Sequence, residues 1–312
     1  MNRAQFIARR LVQMLPVLFG VTLIVFALLQ LIPGDPATTM LGLQARPESI
    51  AALRQELGLD RPLWEQYLRY MGNLARFDLG DSLKFRVSVS SLLGERLAVS
   101  LALIVYATLL TVALALPLGI VSALRKDGLI DQITRVVLMT TLVMPAFLVG
   151  IIFLTYLSVR WRLFPVAGYG EGWREHLHHL FLPALTIALG IVPILVRALR
   201  TSILEAMASD YVRTARAKGL REQAVVSAHV LRNALIPTVT LLGLSVGYLL
   251  GGTVIVENVF SLPGAGKLLV EAIAARDYPL VQSTTLVFAM LVILVNLATD
   301  TVYTFLDPRV RL

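Results

Sequence analysis

The chain contains no cysteine, which excludes a disulfide framework and any thiolate metal or redox centre. Charge is also scarce: Asp, Glu, Lys and Arg make up 15% of the 312 residues, against 57% hydrophobic ones. A soluble domain carries about 25% charged residues, and a mean hydropathy of +0.76 points away from water as the main solvent. Missing as well is the in-and-out alternation, over segments of about 10 residues, that a transmembrane barrel shows. What the sequence has instead is uncharged blocks about 20 residues long, the length of helix that crosses roughly 30 Å of hydrocarbon.

Six such runs occur, at about 11–32, 98–123, 136–158, 180–198, 235–256 and 280–305. They predict an all-α polytopic membrane protein with six transmembrane helices. The chain divides into 1–32, the N-terminus and first span; 33–97, an external segment; and 98–312, a five-helix core that includes a polar loop at 199–234. Arg9-Arg10 ahead of an apolar run resembles an export signal. The run from Leu11 to Ile32 is too long for one, though, and Pro33-Gly34-Asp35-Pro36 is no small-x-small cleavage site, so a retained first span is expected.

An even number of spans puts both termini on one side. The segments on that side hold 15 of the 28 basic residues in the shorter total length, so both termini are expected in the cytoplasm. Topology thereby accounts for the net charge of +8. No aromatic-interleaved basic stripe accompanies it, and nucleic acid is not an expected partner.

The external segment contains two helix-like stretches, Glu48 to Leu57 and Leu63 to Phe77, closed by Gly58 and opened by Pro62 respectively. Ile50, Leu53 and Leu57 in one, and Trp64, Tyr67, Leu68 and Met71 in the other, recur at helical spacing. Both are expected to be surface-lying helices that cap the outer mouth or dock an external partner. In the fifth run Gly243, Gly247 and Gly251 fall at four-residue spacing, beside Ser245 and Gly252. Small residues on one face let two helix backbones approach closely, either inside this subunit or at a pore-lining or subunit-facing surface.

Motifs that would carry chemistry in the chain itself are incomplete. A phosphate loop needs a glycine four intervening residues before its Gly-Lys pair and a Ser or Thr after it; around Gly266-Lys267 those places hold Ser261 and Leu268. His176, His178 and His179, with Glu171 and Glu175, are metal-capable side chains, but their spacing matches no closed zinc pattern, and they are expected to be interfacial polar residues. Glu257 ends the fifth run, and Asn296 and Asp300 lie in or near the sixth. An intramembrane carboxylate is by default a functional hypothesis. Asp300 falls near the cytoplasmic end, where pairing with a basic residue such as Arg197 costs less than a proton relay, so a structural ion pair is expected. No catalytic triad or paired-carboxylate arrangement is present, which implies a non-catalytic chain without a cofactor of its own.

The stretch from Arg197 to Ala234 is too polar for lipid and too regular for a linker. Glu205-Ala206-Met207 continues the fourth span. Ser209 or Asp210 is placed to cap a short helix running through Lys218, and Gly219 to end it in the left-handed conformation. Arg221 and Glu222 then begin a second helix that feeds the fifth span through Pro237. One role for this basic pair of helices is contact with lipid headgroups. The other is a protein contact: Ala206, Ala208, Ala215, Ala217 and Gly219 carry little bulk, so the helix fits a partner's cleft while Arg213, Arg216 and Lys218 reach its rim.

Glu205-Ala206-Met207, Asp210 through Gly219 and Asn233-Ala234-Leu235-Ile236-Pro237 together resemble the coupling loop of binding-protein-dependent ABC importer permeases; Met207 departs from the commoner alanine. The resemblance extends to the dipeptide, oligopeptide and nickel branch through Arg9-Arg10, Pro33 to Pro36, Leu57 to Leu63, Asp78-Leu79-Gly80, Glu257 to Lys267, Arg276 to Pro279 and Leu306 to Arg309; Ser88 stands where proline is frequent. It implies a type I importer permease fold in a bacterial inner membrane. It also implies a homologous second permease, two ATPase subunits that hold ATP and Mg, and an external solute-binding protein. Glu205, Ala206 and Gly219 are then expected on the ATPase-docking helix, with Asp210, Arg213 and Arg216. The alternative is a six-span transporter driven by an ion gradient, which calls for midplane carboxylates and broken helices. Peptide, glutathione-like compound, nickel chelate and oligosaccharide all remain open as the solute.

Overall fold

In a computed structural model, which describes residues 3–31, 35–41 and 45–306, the chain is helical, and the described residues form no strand beyond an isolated bridge between Asp81 and Ser88. Helix α1 is Arg3–Leu31; three short helices follow, α2 Pro36–Leu41, α3 Pro47–Leu57 and α4 Leu63–Ala75. Then come α5 Val89–Leu124, α6 Leu129–Val143 and α7 Ala146–Phe153, the last continued as a π-helix over Leu154–Arg160. Helix α8 is Gly172–Met207, α9 is Asp210–Ala217, and α10 (Glu222–Ala224) runs through a π-helical stretch, Val225–Val230, into α11, Leu231–Val259. Helices α12, Ala265–Ala275, and α13, Tyr278–Leu306, complete the chain.

Five of these segments are single helices long and apolar enough to cross a membrane. The run at 136–158, expected as one helix, is instead split between α6 and α7, which meet at 105°. Pro145 is the cause. The residue before a proline is driven out of the helical region, and Met144 is extended at φ −74°, ψ 128°. The helices expected at 48–57 and 63–77 nearly match their limits. Gly58, at φ +69°, caps α3 by donating to the carbonyls of Arg54 and Gln55. Helix α4 stops at Ala75, short of the expected Phe77, because Phe77 sits in the left-handed region at φ +58°.

The described chain packs as two compact units. One holds Leu101–Leu262 and the last helix from Leu294 onward; in its core Ala123, Leu199, Ile203, Val212, Val225 and Val230 are buried together. The other holds Ala4–Ser100 and Pro263–Ile293, with Leu29, Val89, Leu93, Leu268, Ala272 and Leu280 in its core. In this second unit Asp277 is fully buried and accepts from Ser82 Oγ, the Lys84 amide at 3.1 Å and the Leu280 amide at 3.3 Å. It caps α13 and fastens the 81–88 turn to it. Large apolar side chains along α1 and α6, among them Leu15, Ile24, Val136 and Val143, are exposed, as lipid-facing helices require.

Candidate functional site

Helix α8 outlasts the apolar run at 180–198 within it and carries its last turns into the polar loop. Those turns bury Leu199, Ile203 and Ala206 on the side where α9 contributes Val212 and Ala215. Positions 212 and 215 are three apart, so they share one face of α9, and the other faces are solvent-exposed. Glu205, Ala208, Asp210, Tyr211, Arg213, Thr214, Ala217 and Lys218 all lie on the exposed side. The small residues therefore divide. Ala206 and Ala215 pack inward as core, whereas Ala208, Ala217 and Gly219 are exposed.

Gly219 ends α9 at φ +78°, and its amide donates to the Arg216 carbonyl at 2.9 Å. That is a glycine-type helix stop. A Cβ at this position meets no atom within 4 Å among the described residues. Ser209 occupies the N-cap position with extended backbone, yet makes no side-chain cap bond; its hydroxyl donates back to the Ala206 carbonyl. The expected side-chain cap is thus absent, because that carbonyl at the end of α8 competes for the same hydroxyl.

The basic residues pair within the loop. Arg216 forks onto Glu222, with Nε to Oε2 at 3.0 Å, and this bond draws the guanidinium up from its ordinary value. Arg213 meets Asp210 at 2.8 Å, where both side chains are largely exposed and the pair contributes little to stability. The Arg216–Glu222 bridge joins the end of α9 to the start of α10 and sets the shape of the turn.

Beneath this loop lies a group of residues that the sequence patterns do not reveal. Asp131, in the first turn of α6, is fully buried and accepts two bonds from Arg200 of α8, at 2.8 and 2.7 Å. The Asp127 amide donates to it at 3.0 Å, and so does Ser122 Oγ of α5. One carboxylate thereby ties α5, α6 and α8 together at the base of the loop. Spacing marks a face but no partner: Asp131, Thr134 and Leu138 fall on one side of α6, and the structure buries all three. Arg197, the cation expected to pair with Asp300, donates to Met139 Sδ at 3.0 Å. The Asp300 side chain, like Pro33-Gly34 and the Asp307 to Arg309 motif, lies outside the described residues.

Of the glycines in α11, Gly243 and Gly247 face α13. A Cβ at Gly243 collides with Thr299, and one at Gly247 comes within 3.1 Å of Asn296 Oδ1. A Cβ at Gly251 meets no atom within 4 Å among the described residues. An apolar cleft of about 310 Å³, lined by Thr108, Thr240, Gly243, Val246 and Thr299, opens beside this contact. Gly243→Leu is expected to destabilise the chain by about 1–3 kcal/mol, the usual cost of overpacking. Gly251→Ala is expected to leave thermal stability in detergent unchanged or slightly raised, because alanine is the better helix former, and the two melting curves are directly comparable.

The three neighbouring histidines point to separate partners: His176 stacks on Tyr169, His178 Nε2 lies 3.0 Å from the Leu163 carbonyl, and His179 Nδ1 lies 2.9 Å from that of Glu175. Among the described residues no cluster of three or more His, Asp or Glu is arranged to hold a metal ion.

Apolar helices joined by a polar helix-turn-helix that stays packed on one of them describe a polytopic membrane protein. Residues 115–312 match the family model of the binding-protein-dependent transport system inner membrane component, and residues 3–103 match the N-terminal model of that system. The chain belongs to this family of ABC importer permeases. It is 39% identical to the dipeptide transport system permease protein DppB of Escherichia coli K12 and 42% identical to the di/tripeptide permease DppB of Pseudomonas aeruginosa UCBPP-PA14, in each case over 98% of both chains. It is 36% identical to the glutathione transport system permease protein GsiC of E. coli CFT073, again over 98% of both. In fold it is similar to a chain of the MetNI methionine ABC transporter in an inward-facing conformation: TM-score 0.58, 16% identity, 69% of this chain and 96% of that one.

Proposed function

We propose that this permease forms half of a transmembrane passage for peptides, shared with a homologous second permease, and that it is driven by separate ATPase subunits docked on the loop 199–234. The exposed face of α9 carries this proposal. Its inner face is fixed to α8 by Val212 and Ala215, while its outer face, together with Glu205 and Ala208 before it and Gly219 after it, is exposed and open to another protein. Peptide as the solute class rests on full-length similarity to permeases named for dipeptides and tripeptides. An external binding protein delivers the solute, both termini lie in the cytoplasm, and ATP with Mg binds the ATPase partners rather than this chain.

A rigid connection supports this assignment. Closing two ATPases turns a permease pair between two states only if the docking helix moves with the spans. Here α9 shares one buried core with α8 and the start of α11, and the Asp131–Arg200 pair extends the connection to α5 and α6. Purified gently as a tagged chain, the protein is expected to carry stoichiometric ATPase and second-permease subunits, read by mass spectrometry. A solitary, stable chain would count against the proposal.

A further inference from the structure

Tyr67 of α4 packs against the middle of α1, not against its end. Its hydroxyl lies 3.0 Å from Thr22 Oγ1, and its ring meets Phe26 edge-on at 5.3 Å and Phe19 at 6.2 Å. The apolar length of α1 runs over Val12–Leu31. Thr22 is nine residues short of Leu31, and at 1.5 Å per residue that places it about 14 Å inside the helix end. A helix resting above the bilayer touches α1 near Leu31; the Tyr67 side chain of α4 instead reaches α1 well below that level, so the helix that carries it sits lower than a free cap.

The rim of α4 turned away from the protein is apolar. Trp64 and Leu68, one turn apart, are 65% and 59% exposed, Leu63 is 53% exposed, and Phe77 just past the helix is 92% exposed. On α1, Phe19 and Leu23 are 52% and 45% exposed beside the Tyr67 contact, so the exposed rim of α4 continues the apolar surface of the first span. The charged residues in and beside α4 suit the same environment. Arg61, on the turn before the helix, is neutralised by Glu65 at i+4, and the exposed Arg69, with Arg76 just past the helix end, has a stem long enough to bring its guanidinium group to phosphate level.

We propose that α4 is an interfacial helix seated in the membrane leaflet where α1 ends, its Trp64–Leu68 edge covered by phospholipid acyl chains just below the glycerol level. With the termini in the cytoplasm this is the outer leaflet; the lipid contact itself does not depend on that orientation. Amphipathic helices of this kind sit about 5–10 Å into the headgroup and acyl boundary, and tryptophan favours that depth. The contact fixes α3 and α4, and the 81–88 turn beyond them, at membrane height instead of leaving them as a free cap.

The absence of cysteine makes the test direct, because Leu68→Cys supplies the sole thiol for a nitroxide label in the full chain reconstituted in phospholipid nanodiscs. Label relaxation by dissolved oxygen is expected to exceed relaxation by an aqueous nickel chelate at position 68, with the opposite ranking for Asp60→Cys on the turn before α4. Equal access of the nickel chelate to both positions, or protection of position 68 from both reagents, overturns the proposal. A second measurement leaves position 68 intact. In Trp161→Phe/Trp173→Phe, Trp64 is the one remaining tryptophan, and brominated lipid is expected to remove most of its emission. Quenching by aqueous iodide and not by bromolipid contradicts the assignment.

Discussion

Arg200→Met is expected to destabilise the folded chain by about 3–5 kcal/mol, the usual result of removing one partner from a buried ion pair. Native stabilities are only about 5–15 kcal/mol, so a large loss of monodisperse protein on heating should follow. The cause is the carboxylate left behind. Asp131 has no exposed surface and keeps only the Ser122 hydroxyl and the Asp127 amide as donors, while Arg135, 3.7 Å away, is itself half exposed. A second substitution makes the test specific. Removing both charges, with Asp131→Leu added to Arg200→Met, is expected to recover much of the stability, since apolar replacement of a whole buried pair is often close to neutral. A single variant that melts with the wild type would show that the pair contributes nothing.

The second large effect is functional and leaves the fold intact. Gly219→Trp places a bulky side chain where no described atom lies within 4 Å, at the cost of a non-glycine residue at φ +78°, a strain of about 1–2 kcal/mol. Glu205→Arg reverses a charge on an exposed turn without touching the buried Ala206 beside it. Neither change disturbs the core of this chain, so whatever is lost belongs to a partner's surface. Uptake of labelled dipeptide is expected to fall by roughly 30-fold or more in each, corresponding to about 2 kcal/mol for a residue at the centre of an interface. Membrane insertion should be unchanged by quantitative blotting. Full uptake in both variants would remove α9 from the coupling role.

Much of this loop is legible from local grammar alone. Ser209 and Gly219 bracket α9, and Pro62 and Gly58 punctuate α4 and α3, because caps and stops depend on residues adjacent in sequence. Long apolar runs disclose the spans for the same reason. The break at Pro145 is visible as a residue, but hydropathy alone continues across it. Least legible are pairings between distant positions: nothing in residues 129–135 names Arg200, and sequence position draws attention to Arg197 instead, as a partner for Asp300, whereas its guanidinium meets Met139. Spacing does not separate the glycines of α11, since Gly243 and Gly247 meet α13 whereas no described atom lies within 4 Å of a Cβ at Gly251. Which side of a small residue is covered is a property of packing, not of period.

In the proposed assembly, ATPase partners drive solute through a passage of which this chain forms half. The most direct measurement is uptake of labelled dipeptide into proteoliposomes that contain the purified complex, with binding protein outside and ATP inside, in the absence of any ion gradient. Accumulation that requires internal ATP and disappears with Glu205→Arg is the expected result. Accumulation driven by a proton or sodium gradient without ATP would contradict the account and assign the chain to secondary transport.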